Sequence, residues 1–224
     1  MKRARKLKIG LISVLLTFGV GVFAWLIVHS SILQPTKLLI PEASWEKLFF
    51  EGIDQITELA KLEKLREKNL PRNGIEIRIW EGFGLEDLEG VIFSKADEKW
   101  RAYHVRSNSY REPTTANFIQ LSGVPKSGWN TFIKEFFSLG ISDLPDARSI
   151  GCEMYHLDGR RYVVEVYENK TYRTYMYSSN AGEKCAEGKM LQKIVELIAV
   201  EFENKLQRCR GNEWLSCGSR KPAK

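Results

Sequence analysis

Residues 9–28 contain no charged side chain. Ile9 to Val28 is a run of 20 such residues. As a helix it rises roughly 30 Å, enough to cross the hydrocarbon core of a bilayer. A helix that is apolar all round has no face to offer water, so it cannot lie on the surface of a globular domain. The run therefore predicts a transmembrane signal anchor over residues 9–29, with the lipid bilayer as its partner. Lys2, Arg3, Arg5, Lys6 and Lys8 precede it, whereas Lys37 is the only cation in the first fifteen residues beyond it. That asymmetry predicts a cytoplasmic amino terminus and a periplasmic or extracellular carboxy-terminal domain. Trp25, near the outer end, suits an interfacial position. The alternative is a cleaved signal peptide, with cleavage after Ser30. Such peptides have apolar cores of about 7 to 15 residues, shorter than this one. A lipoprotein reading fails because the first cysteine is Cys152.

The charge of the chain is concentrated at its ends. The net charge is +6; residues 1–8 carry +5 and residues 205–224 another +5, which leaves −4 for residues 9–204. The body is mildly acidic, so the basic character gives no support for a nucleic-acid partner. The expected organisation is a basic cytoplasmic tail (1–8), the anchor (9–29), a proline-containing linker (30–43), one α+β domain (44–206) and a basic, cysteine-containing tail (207–224). The domain is long enough for a substantial core, and with six Trp the chain is not of a disordered composition.

Cys152, Cys185, Cys209 and Cys217 are the four cysteines. An even number in an exported domain points to two disulfides. Cys209 with Cys217 would close a short loop around Trp214 and leave Cys152 with Cys185. Four cysteines allow three pairings, and the sequence does not choose among them. Free buried thiols are the alternative. Zinc has little support, because no CxxC pair occurs.

Periodicity supplies the elements. Trp45, Leu48, Phe49, Ile56 and Leu59 recur at helical spacing after a possible cap at Ser44. The charged run Lys61 to Asn69 reads as a solvated extension stopped by Pro71. Ile75, Ile77 and Ile79 then alternate with Glu76, Arg78 and Trp80, the pattern of a half-buried strand that Gly82 and Gly84 end. Val91 to Ser94 and Trp100 to Arg106 read as strands around the turn Ala96 to Lys99, with a fourth at Asn117 to Leu121. The polar stretch 107–116 is the longest expected loop. Trp129, Phe132, Ile133, Phe136 and Phe137 form the aromatic face of a helix, with Ser127 as its cap and Gly140 as its stop. A turn follows at Asp143 to Asp146. Cys152 to Leu157, Arg161 to Glu168 and Thr171 to Ser178 read as strands joined by Asp158-Gly159 and Asn169-Lys170. A two-residue turn at Asn169-Lys170 sets Tyr167 opposite Tyr172, Glu165 opposite Thr174 and Val163 opposite Met176. Leu191, Ile194, Val195, Ile198 and Phe202 mark the last amphipathic helix. Strands that come in runs with short turns predict an α+β fold: a mainly antiparallel sheet of about six or seven strands packed against amphipathic helices.

Three passages stand together as a pattern: SGWNTFIKEFFSLGISDLPD (127–146), DGRRYVVEVYENKTYRTYMYS (158–178) and the helix from Met190 to Phe202. IRIWEGFG (77–84) extends it. Over roughly residues 75–204 the chain resembles a group of bacterial exported, membrane-anchored proteins of unknown function with the pattern LPD … DGxxYxVEV … YRTYxYSN. The resemblance implies a bacterial envelope setting and no particular chemistry.

Chemistry-bearing motifs are scarce. The histidines are His29, His104 and His156. Cys152 and His156, four apart in a strand, stand roughly 13 Å apart and cannot exchange a proton directly. No nucleotide-binding loop, HExxH or EF-hand loop occurs, and no cofactor or metal is expected. Asn169-Lys170-Thr171 is a glycosylation sequon only in a eukaryotic host. Tyr162, Arg173, Tyr175 and Tyr177 share one hairpin face and are residue types favoured at binding hot spots; the plainer reading is a sheet face packed on a helix. The expectation is an interaction module whose partner is an envelope protein or polymer. The alternatives are an envelope enzyme using carboxylates such as Glu165 or Asp158, and a structural accessory subunit of a membrane complex.

Overall fold

The computed structural model describes residues 45–71, 73–82, 88–121, 124–153 and 160–210, with side chains as far as Phe202. The anchor, the linker, Ser44, Gly84, Asp158-Gly159 and the tail beyond Arg210 lie outside them. Contacts divide the chain into Met1–Leu39 and Ile40–Lys224, and every described residue belongs to the second unit. No helix among the described residues is long and apolar enough to cross a membrane.

Six strands form one sheet: β1 (Ile75–Glu81), β2 (Glu89–Ala96), β3 (Lys99–Ser107), β4 (Ala116–Gln120), β5 (Arg161–Glu168) and β6 (Thr171–Ser178). Their spatial order is β4-β3-β2-β1-β5-β6, and every neighbouring pair is antiparallel. Three helices accompany it: α1 (Trp45–Leu59), α2 (Trp129–Ser138) and α3 (Ala186–Arg210). The α+β class and the antiparallel sheet are thus as the strand pattern predicts. Of the expected strand from Cys152 to Leu157, Cys152 and Glu153 lie in no strand and the rest is outside the described residues.

The two tight turns follow from the backbone. Asp97 and Glu98 have φ of 49° and 59°, Asn169 and Lys170 of 51° and 64°. Positive φ at both central residues is the mirror-image turn that matches the twist of paired strands. It fixes the register of β5 and β6 as the sequence predicts, with Tyr167 opposite Tyr172, Glu165 opposite Thr174 and Val163 opposite Met176.

Both faces of the sheet are covered. On one, Ile77, Ile79, Phe93, Val164, Val166, Tyr175 and Tyr177 meet Phe132 and Phe136 of α2 and Leu191, Ile194, Ile198 and Phe202 of α3. Phe93 lies at the centre of an aromatic cluster, 5.3, 5.2 and 5.7 Å from the rings of Phe132, Phe136 and Phe202. On the other, Trp80, Ile92, Val105 and Val163 meet Trp45, Phe49, Phe50, Ile53 and Ile56 of α1. The Trp80 ring lies on Gly90 so closely that a Cβ there would come within 2.4 Å of it.

Several details depart from the periodicity. β1 is not half-buried: α1 packs on Trp80 of its second face, and Glu76 and Arg78, bonded to Lys68 and Glu63 of the segment after α1, are buried as well. In α1 the inward stripe is Trp45, Phe49, Phe50, Ile53, Ile56 and Thr57. Leu48 and Leu59 point outward, 61% and 40% exposed. The run from Lys61 is not a solvated extension. The helix stops at Leu59, Lys61 takes a left-handed conformation, and a short 3-10 turn at Leu65–Glu67 returns the chain over the sheet with Leu65 buried. Its charges find partners: Arg66 grips Asp54 through two contacts of 2.6 Å, and Lys68 reaches Glu76 at 2.6 Å. Ser127 does not cap α2. Gly128 occupies that position without a side-chain bond, and the Ser127 amide donates to Glu201 Oε2 at 2.8 Å.

Candidate interaction surface

Hairpin β5–β6 sets Arg173, Tyr175 and Tyr177 on one face beside Tyr162, since Tyr162 lies opposite Tyr177 and Val166 opposite Arg173. That face does not meet solvent as a patch. The irregular segment after α2 lies along it, and a segment without regular structure needs donors for its carbonyls. The Tyr175 hydroxyl donates to Ile141 O at 2.7 Å and the Tyr177 hydroxyl to Pro145 O at 2.7 Å. The Arg173 guanidinium donates to Ser142 O and Leu144 O and lies 5.3 Å from the Tyr175 ring centre. Tyr175 and Tyr177 are core residues, while Tyr162 and Arg173 are half-buried. Residue types suited to a hot spot are spent here on the chain's own backbone. Alanine at Tyr175 or Arg173 would therefore report on folding rather than on partner capture.

Burial also sets the titration of these phenols. It pushes Tyr177 up to about 12, with Glu187 and Asp146 adding to the shift, and holds Tyr175 well above the ordinary tyrosine range. An unfolded tyrosine ionises near ~10. Above that pH the unfolded chain releases protons that the folded chain keeps, so stability present below pH ~10 is lost as pH rises through the folded values. Guanidinium titrations at pH 9, 10, 11 and 12 are expected to give falling midpoints, with a shallower fall in Tyr177→Phe. Equal slopes in the two proteins would contradict this.

Cys152 and Cys185 form a disulfide with a Cα separation of 5.9 Å. It ties the loop before residue 153 to the start of α3. The Cys209 with Cys217 pairing lies outside the described side chains. Among the described residues no cluster of His, Cys, Asp or Glu could hold a metal ion. His104 is buried in β3 with its Nε2 3.6 Å from Glu89 Oε2, beyond hydrogen-bond reach; His156 and Asp158 lie outside the described residues.

Glu165 is enclosed. Its Oε2 accepts the Trp80 indole N–H at 2.7 Å and its Oε1 the Tyr172 hydroxyl at 2.8 Å. Burial and the neighbouring carboxylate hold the Tyr172 phenol well above its usual range. A carboxylate buried with both oxygens occupied has no route to a substrate proton. Beside it lies a charged cluster that sequence periodicity does not reveal. Arg78 donates through Nε and Nη2 to Glu76 Oε1 at 2.9 and 2.7 Å, and through Nη2 to Glu63 O at 2.8 Å. Burial works to raise the Asp54 carboxyl, but Arg66 and Lys64 outweigh it and leave Asp54 below its ordinary value. These groups pair with one another beneath the returning segment, with Arg78 Nη1 left buried without a partner.

One edge of the sheet has no partner strand among the described residues. The Leu121 amide donates to Ala102 O at 2.9 Å, and this fixes the alternation of the β3–β4 ladder. Ile119 and Asn117 bond to β3, so the N–H and C=O groups of Ala116, Phe118 and Gln120 point away from the sheet. Among the described residues none of these groups has a hydrogen-bond partner. The strand carries no charge and no proline. Phe118 is 38% exposed, and its ring stacks 4.9 Å from Tyr103. Proteins usually protect such an edge with charge, proline, a bulge or a covering segment. The opposite edge is covered at one position, where Met176 N–H donates to Asp146 Oδ2 at 2.9 Å and Met176 O accepts from the Ala147 amide at 3.3 Å, and its strand β6 carries Arg173. The residue pattern marks β4 as a strand, but nothing in it puts that strand at the rim of the sheet.

No protein-family model matches this sequence, and no curated protein matches it.

Proposed function

We propose that the chain is a membrane-tethered extracytoplasmic interaction module, anchored through residues 9–29 and working by capture of an envelope protein or polymer. The observation that carries the binding role is the edge of β4, uncharged and without a hydrogen-bond partner among the described residues. Added strands gain affinity from main-chain hydrogen bonds at such edges. The location rests on the cation asymmetry around the leader and on the Cys152–Cys185 bond, since disulfides persist in oxidising compartments. The bacterial envelope setting follows from the resemblance of residues 75–204. Glu165, enclosed by Trp80 and Tyr172, gives no support to a carboxylate enzyme.

Two measurements test this. Cells lysed under denaturing maleimide should yield protein in which Cys152 and Cys185 are labelled only after reduction; labelling beforehand would overturn the extracytoplasmic location. Intact cells treated with an amine-reactive crosslinker should give adducts larger than the single chain. A chain recovered only as a monomer would overturn the interaction role.

A further inference from the structure

We infer that the occupant of the β4 edge is a second copy of this chain, paired antiparallel about a two-fold axis at Phe118. The inference rests on the tethered-module reading and names its partner. The outward residues are Ala116, Phe118 and Gln120. One register pairs all three on both copies: Phe118 with the partner's Phe118, Ala116 with the partner's Gln120, and Gln120 with the partner's Ala116. Each pair exchanges N–H···O bonds in both directions. The edge is its own complement.

Three further features favour a copy over another protein. The folded body carries −4 over residues 9–204, yet Ala116–Gln120 is uncharged, so two like-charged copies meet where repulsion is least. An isologous antiparallel edge places the two-fold axis along the sheet normal. That keeps α1 of both copies on one face of the joint sheet, so both chains enter their folds at Trp45 on the same side, as two tethers to one bilayer require. An isologous contact closes on itself and gives a pair rather than a fibre. Confinement to a membrane raises the effective concentration of the copies, so a short five-residue edge suffices.

The test uses the full chain in its own membrane, with photoreactive benzoylphenylalanine in place of Phe118. Irradiation of intact cells should yield a species of twice the 25.8 kDa chain mass, with peptide mapping joining β4 to β4. A crosslink to a different protein, or to residues 30–43 of the same chain, overturns the second copy and leaves the module reading standing. No crosslink at all also overturns it, and the amine-crosslinking experiment above then decides the module reading separately. Co-capture of two tagged copies from detergent provides the variant test. Phe118→Lys alone and Phe118→Glu alone should each weaken pairing by at least about tenfold, because like charges meet at the axis. Co-expression of the two variants should restore it, which a misfolded chain would not do. Undiminished pairing in the single variants, or no recovery in the mixture, overturns the proposal.

Discussion

Replacing Arg78 by Ala is expected to lower the unfolding free energy by about 3–5 kcal/mol, the cost of breaking a buried ion pair from one side. Arg78 is 1% exposed on the central strand β1. Its guanidinium holds Glu76 Oε1 through two donors and binds Glu63 O with one of them. Truncation leaves the buried Glu76 with Lys68 alone on its other oxygen, and it opens a cavity under the segment that carries Glu63. The double variant Glu76→Met/Arg78→Met removes both charges at nearly constant volume and should recover much of the loss, because apolar replacement of a buried pair is often neutral or stabilising. Arg78 Nη1, buried without a hydrogen-bond partner, gives the pair a further cost that the double variant removes. Lys68 is half-buried and can turn to water once Glu76 is gone. Urea midpoints of the three proteins decide the matter. A loss below about 1 kcal/mol in Arg78→Ala would mean that the cluster is not coupled to the fold as its geometry requires.

The second large effect is expected at the disulfide. Cys152 and Cys185 are 33 residues apart. The loop-entropy relation gives ~4 kcal/mol for a crosslink closing a loop of that size. Cys152→Ala/Cys185→Ala should therefore shift the denaturation midpoint strongly, and reduction of the wild-type protein should reproduce the shift. Loss should also be local. The bond fastens the start of α3 beside the short turn Ala181–Glu183, and Gly188 is packed there so closely that a Cβ would come within 2.4 Å of the Ala181 backbone. Amide exchange in the first turns of α3 should rise more than in β1. Exchange rising equally everywhere would assign the bond a global role instead.

Local signals explain what sequence analysis reached. The β5–β6 hairpin was legible residue by residue because two residues with positive φ join alternating strands, and a turn of that length allows one register. α2 was legible because Phe132 and Phe136 stand at helical spacing and Gly140 follows in a left-handed conformation. The errors have a common cause. Glu76 and Arg78 alternate with isoleucines as solvated residues would, and their burial depends on Lys68 and Glu63 in the segment after α1. The run from Lys61 has the composition of a solvated stretch, but its complement, Asp54, lies in the preceding helix. Phe50 and Ile53 displaced Leu48 and Leu59 from the inward stripe because the sheet, not the helix alone, decides which face is covered. Tyr175 and Tyr177 have the chemistry of a binding face; their destination depends on where the segment after α2 runs. The open edge of β4 is a property of strand order, and strand order is set by contacts far apart in the chain.

The hydroxyls of Tyr175 and Tyr177 and the guanidinium of Arg173 all donate to backbone carbonyls, at Ile141, Pro145, Ser142 and Leu144. A carbonyl offers the same lone pairs whatever side chain is attached to it. The segment's path is therefore held by groups that every residue carries, and Ile141, Leu144 and Ala147 hold it a second time through buried side chains. The contact depends on the identity of the three donors and of the segment's buried side chains, and on path alone only at exposed positions such as Asp143.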